Sequence, residues 1–148
     1  MMNFQGPFWP GAQGIKDLPA QIEALTKSFQ QFLQHQPPEG SPVSFEKLTP
    51  PVDKMQPLVA ELIQTHQKLW GQMLNQSKDP DSAPVVPEVS RDRRFSSEVW
   101  SASPVYDYLR QAYLLNSRFL TQLANVLPTE NAKEAARVRF LTNQFVDA

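Results

Sequence analysis

Proline is the residue that most constrains how this chain can fold. The chain has 148 residues, of which 14 are proline and only 5 are glycine. Most prolines precede residue 90 and fall in two runs, QPPEGSPVSFEKLTPP (Gln36 to Pro51) and DPDSAPVVPE (Asp79 to Glu88). Because proline lacks an amide donor and clashes with the preceding helical turn, neither run can continue a helix or a central strand. The sequence therefore predicts ordered segments separated by Pro-rich linkers.

Two amphipathic helices are predicted before residue 79, because apolar residues recur there at three- and four-residue spacings. We expect the first to begin with Asp17 as its N-cap and to run to about Gln34. The second is predicted to begin with Asp53 as its N-cap, with Pro57 at a position that needs no helical donor. Its broad apolar stripe requires a partner element and contains Met55, Leu58, Val59, Leu62, Ile63, Leu69, Trp70, Met73 and Leu74.

Two further helices are predicted after residue 91. The third has Ser103 as N-cap and Pro104 as its first residue, and Pro128 ends it. Apolar residues cover most of its circumference, so we expect it to be the central helix. The fourth begins after Thr129 or Asn131. No segment shows strand alternation, so the fold class is all-α: a small irregular helical domain of about four amphipathic helices joined by Pro-rich linkers.

Composition shifts indicate four regions. We expect a flexible aromatic tail at 1–16, two helices of a variable extension at 17–78, a Pro-rich linker at 79–91 and a helical region at 92–148. Residues 1–90 carry six lysines and no arginine, whereas residues 91–148 carry seven arginines and one lysine. Because arginine favours fixed, bidentate contacts, the second half is the expected rigid part. The last helix has no glycine or asparagine cap, so we expect further chain to follow it.

The residue inventory argues against catalysis by this chain. Without cysteine there is no disulfide, thiolate metal site or cysteine nucleophile. The sequence also has no G-x-S-x-G turn, phosphate-binding glycine loop or His/Glu metal spacing. We therefore predict no catalytic residue, no cofactor and no metal. The net charge of −1 gives no general attraction to nucleic acid, and the absence of a signal peptide or spanning segment predicts a soluble cytosolic chain.

The segment RDRRFSSEVW (91–100) has two interpretations. Arginines interleaved with aromatics could contact nucleic acid, but Asp92 and Glu98 offset the charge and no second basic cluster extends it. The favoured interpretation is a structural clasp, in which the aromatic residues pack on the helices and the arginines pair with carboxylates or helix C-terminal carbonyls. The residues assigned to the clasp are Asp92, Arg93, Arg94, Phe95 and Trp100. His66, by its helical register, is predicted to be a core or interface histidine.

Apolar residues outside the expected core are candidates for a partner surface. Phe8 and Trp9 stand in a segment too rich in proline and glycine to form a core element, so they could anchor on an apolar partner or fold back onto the helices. The second helix carries the same ambiguity between intramolecular packing and partner binding. We assign as candidate interface residues Phe8, Trp9, Leu62, Leu69, Trp70 and Met73.

The second half of the chain resembles a known family, the N-terminal region of class I polyhydroxyalkanoate synthases. The resemblance covers roughly residues 91–148 and is specific as a combined string rather than in its pieces. The residues that carry it are Asp92-Arg93-Arg94-Phe95, Trp100, Pro104, Tyr106 to Leu109, Gln111, Tyr113-Leu114-Leu115, Leu120, Arg137 to Phe140, Gln144 and Val146-Asp147-Ala148. The first 90 residues are similar only in general character to the variable extensions of these enzymes.

The resemblance implies an accessory role. In that family an α/β-hydrolase domain with a cysteine nucleophile and Asp and His partners polymerises 3-hydroxyacyl-CoA, and none of those residues is in this chain. The implied partners are that catalytic domain, a second subunit, and the polymer granule or phasin-type proteins, with no nucleic acid and no transmembrane segment. Tyr106 and Tyr113 join the clasp as candidate interdomain contacts. The alternatives are a stand-alone helical adaptor or phasin-like granule protein and, more remotely, an RNA-contacting module.

Overall fold

The structure, a computed structural model, describes residues 17–34, 50–75, 85–86, 104–129 and 131–147. Within these ranges the chain forms four helices and no strand, which confirms the all-α fold class. The helices are α1 (Leu18–Gln34), α2 (Val52–Asn75), α3 (Pro104–Val126) and α4 (Ala132–Asp147). Most of both Pro-rich runs lies outside the described residues, so their role as linkers stays a prediction.

Three of the four helices begin where the sequence predicts. The carbonyl of Asp17 accepts the amide of Gln21 at 2.9 Å, which makes Asp17 the N-cap of α1. Asn131 caps α4, because its side-chain Oδ1 accepts the amide of Glu134 at 2.8 Å and its carbonyl accepts the amide of Ala135 at 3.1 Å. α3 begins at Pro104 and ends just before Pro128. The predicted N-cap Ser103 lies outside the described residues.

The start of α2 corrects two predictions. The helix begins at Val52, and the carbonyl of Pro51 accepts the amides of Lys54 and Met55 at 3.1 and 2.9 Å. Asp53 is therefore not the N-cap but a first-turn residue, where its charge still complements the helix dipole. A carboxylate cap is not required because exposed first-turn amides can bond to water. Pro57 lies inside the helix, beyond the donor-free turn, so it removes a bond that the Asp53 carbonyl would accept.

The predicted third helix, α3, is the centre of the domain as expected, with α2 and α4 packed along it. α2 runs antiparallel to α3, because Trp70 near the end of α2 meets Tyr108 near the start of α3 at a ring distance of 5.4 Å. The chain reverses again at Leu127 and Pro128, so α4 also runs antiparallel to α3. α1 packs against both α2 and α4, and the ring of its residue Phe32 lies 5.0 Å from that of Phe145.

The core contains apolar side chains from all four helices. Its largest fully buried members include Phe29 from α1, Leu69 from α2, Phe119 from α3 and Val138 from α4. Burial of each such side chain contributes about 1.5–3 kcal/mol, so this core supplies the main stabilising term. The main cluster consists of Ile22, Leu25, Phe29, Leu33, Leu62, Val86, Tyr113, Leu114, Leu115, Phe119, Leu120, Leu123, Ala124, Leu127, Val138, Leu141 and Val146.

Candidate functional site

A histidine joins α2 to α3 inside the core. His66 is 4% exposed, and its Nε2 lies 2.7 Å from Oδ1 of Asn116. Because that partner atom is an amide oxygen, Nε2 donates the hydrogen bond. Burial lowers the pKa of His66 from its ordinary value of 6.5, and the bond to Asn116 opposes part of that effect. The imidazole is therefore neutral at pH 7, which confirms the predicted core role of His66.

A buried polar chain fixes the segment between α2 and α3 onto the first turns of α3. The backbone N–H of Val86 donates to Oε1 of Gln111 at 2.9 Å, and Nε2 of Gln111 donates to Oδ2 of Asp107 at 2.9 Å. Nε of Arg110 donates to the other oxygen of Asp107 at 2.7 Å. Val86 and Gln111 are both fully buried. We call this set of four residues the Val86 anchor.

Four further buried side-chain hydroxyls also make structural bonds. The hydroxyl of Tyr113 donates to the carbonyl of Val146 and so joins α3 to α4. Thr26, Ser117 and Thr142 each donate to the carbonyl four residues earlier in their own helices. These hydroxyls bond to backbone carbonyls rather than stand beside a base, as a catalytic nucleophile would.

The described residues contain neither a metal-binding cluster nor a membrane-spanning helix. They contain no cluster of three His, Asp or Glu residues that could hold a metal ion. In the same ranges, no helix is long and apolar enough to cross a membrane. The features left for function are therefore the exposed surfaces of the helices.

The first of these surfaces is an apolar groove on the N-terminal half of α2, with a volume of about 410 Å³. Val52 at its end is 68% exposed, whereas Val59 and Ile63 at its base are partly buried and pack against the core. We call it the α2 groove, and its lining residues are Val52, Met55, Gln56, Val59, Ala60 and Ile63.

The second surface is the outer face of α4. Phe140 is 59% exposed there, although the opposite side of α4 contributes Val138 and Leu141 to the core. Helical spacing places Lys133 and Arg137 on the same face as Phe140, at i−7 and i−3. An exposed aromatic side chain beside two cations is a combination that protein interfaces use often.

The residues predicted for the clasp are only partly described. Asp92, Arg93, Arg94, Phe95 and Trp100 lie outside the described residues, so that role stays a prediction. The two tyrosines added to them have different environments, because Tyr106 is 44% exposed in the first turn of α3 and Tyr113 is 4% exposed in the core. An attachment of the segment before α3 does exist, but it is made by the Val86 anchor.

The residues predicted for a partner surface are also divided. Phe8 and Trp9 lie outside the described residues. Leu62 and Leu69 are 2% and 1% exposed, since their side chains pack within the domain. Trp70 and Met73 are partly buried beside Tyr108. Their role in partner binding stays a prediction, and only the partly exposed pair is open to contact without rearrangement.

Sequence reasoning missed the Val86 anchor and the role of Asn116. Asp107 and Gln111 are four residues apart and so share one face of α3, a spacing visible in the sequence. A polar pair on a helix with apolar residues on most sides is the signal that could have revealed a buried network. The partner amide of Val86 could not be inferred, because it comes from a distant, Pro-rich segment.

These features define a small all-α domain held together by an apolar core and buried hydrogen bonds, with open apolar surfaces on α2 and α4. The second half of the chain is similar to the N-terminal region of polyhydroxyalkanoate synthases. Residues 91–148 match the family described as the N-terminus of poly-beta-hydroxybutyrate polymerase (PhaC). The match includes α3, α4 and the predicted clasp, and confirms the resemblance found in the sequence.

Curated relatives agree with this family. The chain is 26% identical over 146 residues to a poly(3-hydroxyalkanoate) polymerase of Methylorubrum extorquens, a match that covers 97% of the chain and 22% of the relative. It is 36% identical over 80 residues to the polymerase subunit PhaC of Cupriavidus necator, covering 54% of the chain and 12% of the relative. The chain therefore spans less than a quarter of either relative. No solved structure matches the chain.

Proposed function

We propose that this domain is a non-catalytic part of a polyhydroxyalkanoate synthase that polymerises 3-hydroxyacyl-CoA. In this role it supports the catalytic domain, takes part in dimerisation and binds polymer granules or phasin-type partners. The similarity to two named polymerases supports the parent activity. The structural bonding of the described hydroxyls and of His66 supports the non-catalytic role.

The observation that carries the proposal is the exposure of Phe140 within the part of the chain that matches the family. The free energy falls when another surface covers a large aromatic side chain that is otherwise exposed to water. Lys133 on the same face favours a surface with an acidic rim, since opposite charges steer and orient docking. We assign this face to the contact with the catalytic domain.

The test replaces Phe140 by Ser in the full-length synthase. Because Phe140 is exposed, the variant should keep the fold and stability of the domain within about 0.5 kcal/mol. We expect lower polymerase activity on a 3-hydroxyacyl-CoA substrate, with a changed oligomeric state or granule localisation. Leu74→Ser is the matched control, because Leu74 is 60% exposed on α2 and should leave all three measurements unchanged.

Two outcomes would reject the proposal in its present form. If Phe140→Ser equals the wild type in activity, oligomeric state and localisation, the outer face of α4 is not the contact. If the 148-residue chain alone binds polymer granules as tightly as the full-length enzyme does, an independent adaptor explains the domain better than a support of the catalytic domain.

A further inference from the structure

The apolar stripe of α2 is covered along only part of its length. Both halves of α2 pack on α3, and the C-terminal half also meets the start of α1, where Leu18 and Ile22 line a small cavity together with His66. The N-terminal half forms the α2 groove, which continues the same stripe because Ile63 stands three residues before His66. α1 thus covers one end of the stripe and leaves the other end open.

The start of α1 lies close to this open end. α1 begins at Leu18, next to His66, and Val59 at the middle of the groove is seven residues away along α2, or about 10 Å. Sixteen residues precede Asp17. Trp9 is eight residues before Asp17, and an extended chain of that length reaches about 26 Å. The segment can therefore cover the whole groove.

The composition of this segment matches the groove. Residues 1–16 contain Phe4, Phe8 and Trp9, and Lys16 is their only charged side chain. The groove has a volume of about 410 Å³, within the range of about 300–1,000 Å³ that suits ring-containing ligands. A buried tryptophan needs an acceptor for its indole N–H, and the amide oxygen of Gln56 at the groove supplies one.

We propose that Phe8 and Trp9 of the same chain occupy the α2 groove and so complete the cover of α2. Pro7 and Pro10 flank the pair and restrict its backbone, which lowers the entropy lost on docking. The partner of these two aromatic residues is then the chain's own α2. This inference does not depend on the proposed function, because it concerns the 148-residue chain alone.

Disulfide trapping tests the proposal, and the chain suits it because it contains no cysteine. Ala12→Cys places a thiol three residues after Trp9 and keeps both aromatic residues. In the test variant it is paired with Ala60→Cys, at an exposed position of the groove. In the matched control it is paired with Lys68→Cys, at an exposed position two helical turns further along α2 and on another face. The rate of intramolecular disulfide formation is measured for each pair under mild oxidation.

We expect the Ala12–Ala60 cysteine pair to form its disulfide about tenfold faster than the Ala12–Lys68 pair, which corresponds to ~1.4 kcal/mol of preference. The double substitution Phe8→Ser/Trp9→Ser should remove that difference, while circular dichroism shows that the helices remain. Equal rates for the two pairs would overturn the proposal, since an undocked segment would reach both sites by diffusion.

Two other occupants of the groove give distinct results. If residues 35–49 fill it, a Ser44→Cys/Ala60→Cys pair would react faster than the Ala12–Ala60 pair, and the Phe8→Ser/Trp9→Ser substitution would have no effect. If the groove of a second copy of the chain covers it, the single variant Ala60→Cys would give covalent dimers, and the Ala12–Ala60 pair would also give dimers in place of the intramolecular product. Either result would reject docking of Phe8 and Trp9.

Discussion

Nε2 of His66 lies 2.7 Å from Oδ1 of Asn116, and this bond joins α2 to α3 at a point where both side chains are buried. A buried neutral imidazole lowers the stability of the domain at low pH, because protonation adds a charge that the core solvates poorly. The cost at low pH comes from burial of the charge and not from loss of the bond, since Nε2 donates to Asn116 in both protonation states.

The stability of the domain should depend on pH through His66. Burial lowers the folded-state pKa of His66 below 6.5, so the unfolded chain binds more protons as pH falls below that value. We expect the free energy of unfolding to be constant well above pH 6.5 and to fall as the pH decreases through 6.5. Urea unfolding at a series of pH values measures this.

Two variants identify the histidine responsible. His66→Gln should remove the pH dependence in this window, whereas His35→Gln should keep it, because His35 is the other histidine of the chain. A slope that persists in His66→Gln would show that another group controls it.

Loss of the Gln111 side-chain amide should destabilise the domain. Gln111→Leu keeps the approximate size of the side chain but leaves the buried amide of Val86 without its acceptor, at a cost of about 1–3 kcal/mol. The amide of Val86 should also exchange its hydrogen faster, as measured by NMR or mass spectrometry. Gln144→Leu, at an exposed position of α4, is the control and should change stability by less than about 0.5 kcal/mol.

Removal of the hydroxyl should affect two buried tyrosines in opposite ways. Tyr113→Phe loses the bond to the carbonyl of Val146 and should cost about 1 kcal/mol. The hydroxyl of Tyr108 has no hydrogen-bond partner among the described residues, and burial raises its pKa to about 12. Tyr108→Phe should therefore be neutral or stabilising. Equal losses in thermal unfolding of the two variants would contradict this assignment.

Replacement of Pro57 by Ala should stabilise α2. The substitution restores an amide donor to the carbonyl of Asp53, and relief of the interior proline outweighs the greater flexibility of the unfolded chain. We expect a gain of roughly 1–2 kcal/mol in denaturant unfolding. Pro19→Ala should show no such gain, because Pro19 lies in the first turn of α1, where no donor is needed. A gain of the same size in Pro19→Ala would mean that the substitution acts on the unfolded chain rather than on α2.

Helix positions were predictable because they depend on local chemistry. The capping side chain of Asn131 and the stop at Pro128 act within one helical turn, so the sequence contains the whole signal. The core role of His66 followed from its register. The start of α2 was missed by two residues, since exposed amides can be satisfied by water without a side-chain cap.

Which residues of an apolar helix face are buried was harder to predict than the position of that face. Leu62 and Met73 belong to one apolar stripe, yet Leu62 is buried and Met73 is only partly so, because α1 and α3 cover different lengths of α2. Tyr106 and Tyr113 likewise stand seven residues apart on one face of α3, yet only Tyr113 is buried. The anchor partner Val86 depends on a contact with Gln111, 25 residues away in sequence, that no local pattern encodes.

The Val86 anchor has a consequence for how this region can vary. A fixed point between α2 and α3 divides one long connection into two spans, residues 76–85 and 87–103, whose ends are each tied to the domain. Because the entropic cost of closing a loop rises only slowly with its length, either span can gain or lose residues without changing the tether of the other. Insertions before Val86 should therefore leave the hydrogen bond of Val86 to Gln111 intact. Sequence changes before Val86 are therefore separated by this tether from the segment RDRRFSSEVW (91–100).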